Sequence, residues 1–293
     1  MKSRPNSIPN GFIDSHSHLF SPRVAANVKK RQGLVTRLKL QADRVDHRLG
    51  PEPLKKALER ERAACLLLPT AQARDVARVN REARDAVRGI DVFYTAATLH
   101  PGYPANREEL ESFISHGIRG IKLCSFSQGF SLDAPETLAL FDLIQSFNQS
   151  RDTRFFVILD TLYRAHQYFG THPDHDTRPE SLGRMVRSFP GIDFIAAHMG
   201  GLAAPFEQIR DHLVPADNLY LDTSNAAHIL SEEEFIFLLK RQGPSRVVFG
   251  TDWPWFDQEG EIPLIRHLLA RAGFDAREAD QVWSGNIARL LGL

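Results

Sequence analysis

The chain has 293 residues, 42% hydrophobic and 25% charged, with 36 Lys+Arg set against 36 Asp+Glu. That balance excludes a global pull towards nucleic acid or an anionic membrane surface, and no apolar run is long enough to span a bilayer. Cys65 and Cys124, the two cysteines, sit inside apolar runs, which excludes a disulfide framework and leaves them as small hydrophobes.

The opening MKSRPNSIPNG lacks the apolar stretch of a secretory leader, so the cytoplasm is the expected location. GFIDSHSHLF (11–20) follows, an apolar run that reads as a strand and finishes in His16 and His18. Residues i and i+2 of a strand share a side, so the two imidazoles can share a metal ion. A solvated loop holding two histidines is the competing reading of the spacing alone. Residues 20–50 then interrupt the pattern with eight Lys/Arg and two Asp/Glu. They form a basic insertion after the first strand, read as solvated charge ahead of a lid for an anionic substrate.

Further short apolar runs occur at 64–68, 91–99, 117–123, 154–159, 192–197, 218–222 and 246–250, which makes eight strands in all. Most are continuous rather than alternating, as parallel strands covered on both faces require. Helical patterns lie between them. Val76, Val79, Ala83, Ala86 and Val87 make one stripe in 73–89, closed by Gly89, and 134–150 places Leu138, Phe141, Ile144 and Phe147 at three-residue steps. SEEEFIFLLKRQG (231–243) begins with a serine cap and an acidic turn, and 275–293 begins with Asp275 and Glu278 spaced as a capping box. Eight strands alternating with helices predict an α/β fold, a single (β/α)8 TIM barrel over residues 11–293 of one 1–293 domain. A doubly wound sheet is the rival, and no phosphate-binding glycine motif follows any strand.

In such a barrel the chemistry gathers at the C-terminal ends of the strands. Those ends carry His16 and His18, His100, Lys122, Asp160, His198 and Asp252. Buried ionisable groups cost several kcal/mol when unpaired, and convergence on a cation removes much of that cost. The metal reading therefore overtakes the loop reading. Asp14 reads as an orienting group and His100, before Pro101 and Gly102, as part of a turn. Asp222 and His228 read as pocket lining or helix caps. Arg164 and His166 stand as candidates for a substrate anion, Trp253 and Trp255 as pocket walls, and HPDHD (172–176) as a solvated loop.

His-x-His after strand one, GIKL on strand four, AHMGG on strand six, FGTDWPW on strand eight and the closing GNIARLLGL resemble the amidohydrolase superfamily. The similarity runs from Phe12 to Leu291 and points to the amidohydrolase 2 branch, which contains lactonases, other hydrolases and some non-oxidative decarboxylases. The resemblance implies a divalent metal, zinc first and manganese or magnesium as harder alternatives, on His16, His18, Asp160, His198 and Asp252. Asp252 would also carry a proton, and His198 would be catalytic or bind a second metal. Asp160 departs from the family's strand-five histidine. Lys122 is either carboxylated or an ammonium facing substrate, with Arg164 and Trp253 as further substrate contacts.

The expected activity is metal-dependent hydrolysis of an ester, lactone or amide carbonyl in a small, anionic-leaning substrate. The alternatives are a metal-dependent decarboxylase and a non-catalytic barrel with a degraded metal site. The expected partner is a small molecule, without nucleic acid or membrane, and a homo-oligomer is compatible with the reading.

Overall fold

A computed structural model describes residues 11–151 and 154–293; the opening residues 1–10, and with them the leader reading, lie outside the described part. Eight parallel strands are present where the apolar runs predict them; the first extends past the GFID run (11–14) and the others are shorter than theirs. They are β1 (Ile13–Ser17), β2 (Ala64–Leu67), β3 in two pieces (Phe93–Thr95 and Ala97–Thr98) and β4 (Gly120–Leu123). β5 (Phe156–Leu159), β6 (Asp193–Ala196), β7 (Leu219–Asp222) and β8 (Val247–Val248) follow.

Neighbours in sequence pair in parallel, with Ile13 opposite Ala64, Lys122 opposite Ile158 and Ile195 opposite Tyr220. The two pieces of β3 belong to different ladders, and the Ala96 amide between them bonds Leu67 O at 2.9 Å. The ring closes between the segment after β8 and β1. Ser15 N donates to Phe249 O (2.8 Å), Asp252 N to His16 O (2.9 Å) and His18 N to Trp253 O (2.8 Å). Gly250 permits that approach, since a Cβ there would lie 2.8 Å from His16 Cβ.

Alternation along each strand sorts two layers. Inward residues such as Ile13, Leu66, Phe156, Ile158, Ile195 and Val248 fill the barrel, and Ile287, Ala288 and Leu290 of the C-terminal helix join the same cluster. Outward residues such as Cys65, Ile121, Val157, Phe194 and Leu221 pack under the surrounding helices. The helices at Val76–Ala86, Pro135–Ser150 and Glu232–Gln242 match the sequence reading, the last with Ser231 and Glu234 in a capping box. Gly89 carries φ of 78°, but the helix before it is capped by Val87. The predicted C-terminal helix is broken by a π-helical turn at Gln281–Gly285, where Val282 O accepts from Phe249 N at 3.0 Å. No helix among the described residues is long and apolar enough to cross a membrane.

The basic insertion folds over the mouth of the barrel as helices Pro22–Lys29 and Gln32–Arg37 and a 3-10 turn at Val45–Arg48. Its charge is mainly solvated, as read: Arg23, Lys30, Arg37, Lys39 and Arg44 are exposed, and the other three Lys/Arg are tied to protein partners. Arg48 is buried and bonds Asp257 together with the carbonyls of Pro254 (3.2 Å) and Trp255 (3.3 Å). Arg31 bonds Tyr168 O at 2.8 Å, with its guanidinium over the Phe169 ring, and Lys29 pairs with Asp46 at 2.6 Å. Beneath these anchors Ala25, Leu34, Leu38, Leu40 and Val45 form a third apolar cluster with Leu162, Leu202 and Trp255, apart from both barrel layers.

Candidate metal centre

The inward positions at the strand ends carry polar side chains. Lys122 lies two residues beyond Gly120, Asp160 two beyond Ile158, Asp222 two beyond Tyr220 and Asp252 two beyond Gly250. On β1 the pairing register shifts between Asp14 and Ser17. Asp14 turns aside there and accepts from His16 N (3.0 Å), Ser17 Oγ (2.9 Å), Thr251 N (3.0 Å), Thr251 Oγ1 (2.6 Å) and Gln258 Nε2 (3.0 Å). A carboxylate so saturated fixes the strand end and has no lone pair left for an ion.

Three imidazoles converge at the floor, each with its Nδ1 occupied. His16 Nδ1 donates to Asp222 Oδ2 (2.8 Å) and His18 Nδ1 to the Leu68 carbonyl (3.0 Å). His198 Nδ1 meets both Ser224 Oγ (2.8 Å) and Ser224 O (3.0 Å). Acceptors at Nδ1 select the tautomer whose Nε2 lone pair is bare. His16 Nε2 is buried without a hydrogen-bond partner among the described residues. It lies 3.9 Å from Asp252 Oδ1, and His18 Nε2 lies 3.7 Å from the same oxygen. Donor atoms at those separations can share an ion with bonds of about 2.0–2.2 Å. The donor set therefore fits a divalent cation. His16, His18 and Asp252 would hold it, with an outer carboxylate orienting one of the histidines.

Asp222 organises this floor. It accepts hydrogen bonds from His16 Nδ1 (2.8 Å), His198 N (2.9 Å), Ser224 N (3.0 Å) and Ser224 Oγ. One ligand atom each of His16, His198 and Asp222 also lies within 4.8 Å of the others, but the Nδ1 atoms of both histidines and the carboxylate are already hydrogen-bonded. Strand-end position and inward parity were the available signals for Asp222, which sequence reasoning had set aside as lining or a cap.

Burial opposes charge on each group, and the neighbours decide the outcome. Burial and the Lys122 charge lower His16 to about 4, while burial, His16 and Lys122 push His18 well below its usual value. For Asp160 burial is outweighed by Lys122 and the three imidazoles, which hold the carboxylate at about 2. Asp222 is held below the carboxylate range against burial by His16 and its other hydrogen bonds. Asp252 moves the opposite way, raised by burial and the Asp160 charge. Neutral His16 and His18 and anionic Asp222 suit cation binding. Cys124 also lines the site, but burial pushes its thiol up and keeps it un-ionised.

His18, Lys122, Asp160, His198 and Asp252 face a cavity of about 730 Å³ at the mouth. Asp160 belongs to neither cluster of converging donors; its Oδ2 lies 3.4 Å from Lys122 Nζ. Two expected substrate contacts lie outside the cavity lining. Trp253 does not line the cavity: it follows Asp252 directly, so its ring turns into the outer layer under Arg48, and Trp255 provides the aromatic wall. Arg164 is exposed on a turn with φ of 52°, its guanidinium over the Tyr163 ring and outside the lining. His100 is a turn residue, as read, bonding Gln128 O and Gly102 N at 2.9 Å each. His166 pairs with Asp176 at 2.6 Å and His228 with Glu261 at 2.6 Å, both away from the floor cluster.

His198 and Asp252 both adopt left-handed backbone, with φ of 55° and 68°. Non-glycine residues there cost of order 1 kcal/mol or more and persist where surrounding structure enforces them, often at functional sites.

The family model for amidohydrolases matches residues 13–293. No curated protein matches the chain. Among solved structures, 5-carboxyvanillate decarboxylase from Sphingomonas paucimobilis superposes with a TM-score of 0.69 at 16% identity, covering 97% of this chain and 99% of that one. A dihydroxybenzoic acid decarboxylase from Polaromonas, with bound manganese and 2-nitroresorcinol, gives 0.67 at 17% identity over 97% of both chains. A protein from Acinetobacter baumannii described as a probable 2-pyrone-4,6-dicarboxylic acid hydrolase gives 0.59 at 16% identity over 97% of this chain and 100% of that one. These likenesses establish the (β/α)8 barrel.

Proposed function

The chain belongs to the amidohydrolase family, and from that premise we propose that it is a metal-dependent hydrolase of an ester, lactone or amide carbonyl in a small molecule. The observation behind this is the floor where His16 and His18 turn bare Nε2 atoms towards the Asp252 carboxylate. A divalent cation bound there supplies Lewis acidity to a carbonyl and to water. His16, His18 and Asp252 would hold it. Zinc suits the two imidazoles and one carboxylate; manganese is the ion held by the Polaromonas structure.

Asp252, at the cation site and facing the cavity, would accept the proton of the attacking water and deliver it to the leaving group. His198 turns Nε2 to the cavity and keeps Nδ1 on Ser224, so it would act as a base or further ligand, and donates to an oxyanion only as imidazolium. Lys122 spends one N–H on Asp160 and keeps two for a substrate oxygen. A single barrel domain in the cytoplasm completes the proposal.

A second reading, decarboxylation, is favoured by the similar decarboxylase structures and by the aromatic wall of Phe20, Phe126, Phe169 and Trp255. Lys122 would then anchor the carboxylate, and Asp252 would place a proton on the carbon that loses carbon dioxide. Metal analysis of the purified protein comes first, and a cation-free, inactive protein would leave only the non-catalytic reading. Loaded enzyme is next offered esters, lactones and amides with acid release followed, and hydroxybenzoates with carbon dioxide followed. His16→Ala and Asp252→Asn should abolish whichever activity appears and reduce bound metal; full turnover in either sinks the mechanism.

A further inference from the structure

We infer that the substrate pairs one polar head with a large apolar body, and that residues 20–50, chiefly Leu34 and Leu38, select the body. The inference rests on reading the floor as the reaction centre. The cavity of about 730 Å³ has the size of drug-like ligand sites. From the insertion Phe20, Val24, Val28, Leu34, Leu38 and Leu40 face it, and Phe126, Leu162, Phe169, Leu202 and Trp255 face them from the barrel loops. Val24 is 42% exposed, an apolar lining residue open to solvent at the rim.

The charge pattern limits the head to one anionic group. None of the insertion's eight Lys/Arg lines the cavity, and Arg48, Arg31 and Lys29 are bound to protein partners instead. The Lys or Arg side chains lining it among the described residues are Lys122 and Arg78. Arg78 is committed to Asp75 (3.0 Å) and Glu82 (2.9 Å). A carboxylate at the floor meets Lys122 and the cation site, whereas a second one beside Leu34, Leu38 and Leu162 would be desolvated without a cationic partner. Monocarboxylates and neutral esters fit; dicarboxylates too short to reach the rim do not.

The test measures binding, so it stands apart from turnover. Straight-chain carboxylates from butanoate to decanoate, with α,ω-dicarboxylates of equal length, are titrated into metal-loaded protein by calorimetry and by tryptophan fluorescence. Each added methylene should tighten the monocarboxylates about fourfold until the cavity is full, and each dicarboxylate too short to reach the rim at Val24 should bind at least tenfold more weakly than its partner. Leu34→Ser with Leu38→Ser should flatten the length dependence, with cation affinity as the control for a folded barrel. Leu38→Phe, which fills space instead of adding polarity, should shorten the longest chain accepted. A flat series in the wild type, equal binding of those short dicarboxylates, or an unchanged slope in both variants would overturn the inference. Length-dependent binding with neither hydrolysis nor decarboxylation would instead overturn the reaction reading alone.

Discussion

Asp222→Asn tests how the floor is built. The carboxylate can only accept, which forces His16 to carry its proton on Nδ1 and leaves Nε2 bare. An asparagine of nearly the same shape can still accept from His198 N and Ser224 N with its oxygen, which turns its NH2 towards His16. That amide donates, so the favoured His16 tautomer becomes the one protonated at Nε2, which cannot ligate. Changes to such outer partners cost roughly 10–100-fold in metal affinity, about 1.4–2.7 kcal/mol. Stripped protein titrated with zinc and with manganese by calorimetry gives the affinity, and nitrogen NMR of labelled histidine reports the tautomer. Affinity within threefold of wild type, with His16 Nε2 still unprotonated, would refute the reasoning.

In cation-free protein His16 should stay neutral down to about pH 4 by NMR titration. Because its folded pKa is depressed, wild-type stability relative to His16→Gln should be full above about pH 6.5 and fall by about 3 kcal/mol as pH drops through 4; a pH-independent difference in urea unfolding contradicts this. Lys122→Met strands the Asp160 carboxylate and should cost about 3–5 kcal/mol, most of it recovered in Lys122→Met/Asp160→Leu; equal losses in the single and double variants would show that the pair is not coupled. Gly250→Ala drives a methyl to 2.8 Å from His16 Cβ, and should cost about 1–3 kcal/mol in unfolding and weaken cation binding; a neutral substitution would mean that β8 yields freely.

The eight strands were legible because each is covered on both faces and so reads as an unbroken apolar run. Helices such as Glu232–Gln242 were read from their caps, whereas Pro51–Glu61, Asn106–His116, Pro179–Ser188 and Gln258–Ala272 were not read, although Asp257 and Gly273 cap the last of them. His16, His18, Lys122, Asp160, His198 and Asp252 stood out by following directly on apolar runs. Trp253 and Arg164 were chosen for nearness in sequence to Asp252 and Asp160, and nearness is a poor guide where consecutive side chains point to opposite sides. Asp222 escaped because its role depends on a partner 206 residues away, and left-handed backbone at His198 and Asp252 has no signature in residue type. The insertion was legible as mostly solvated charge, but the anchoring of Arg48 was not, because it depends on which backbone carbonyls face it.

The roof cluster of Leu34, Leu38, Leu40 and Trp255 shares no member with either apolar layer of the barrel. Selectivity and reactivity are thus housed in separately packed parts of one chain. A different segment grafted between β1 and the Pro51–Glu61 helix could re-tune what is admitted and leave the reacting groups as they are.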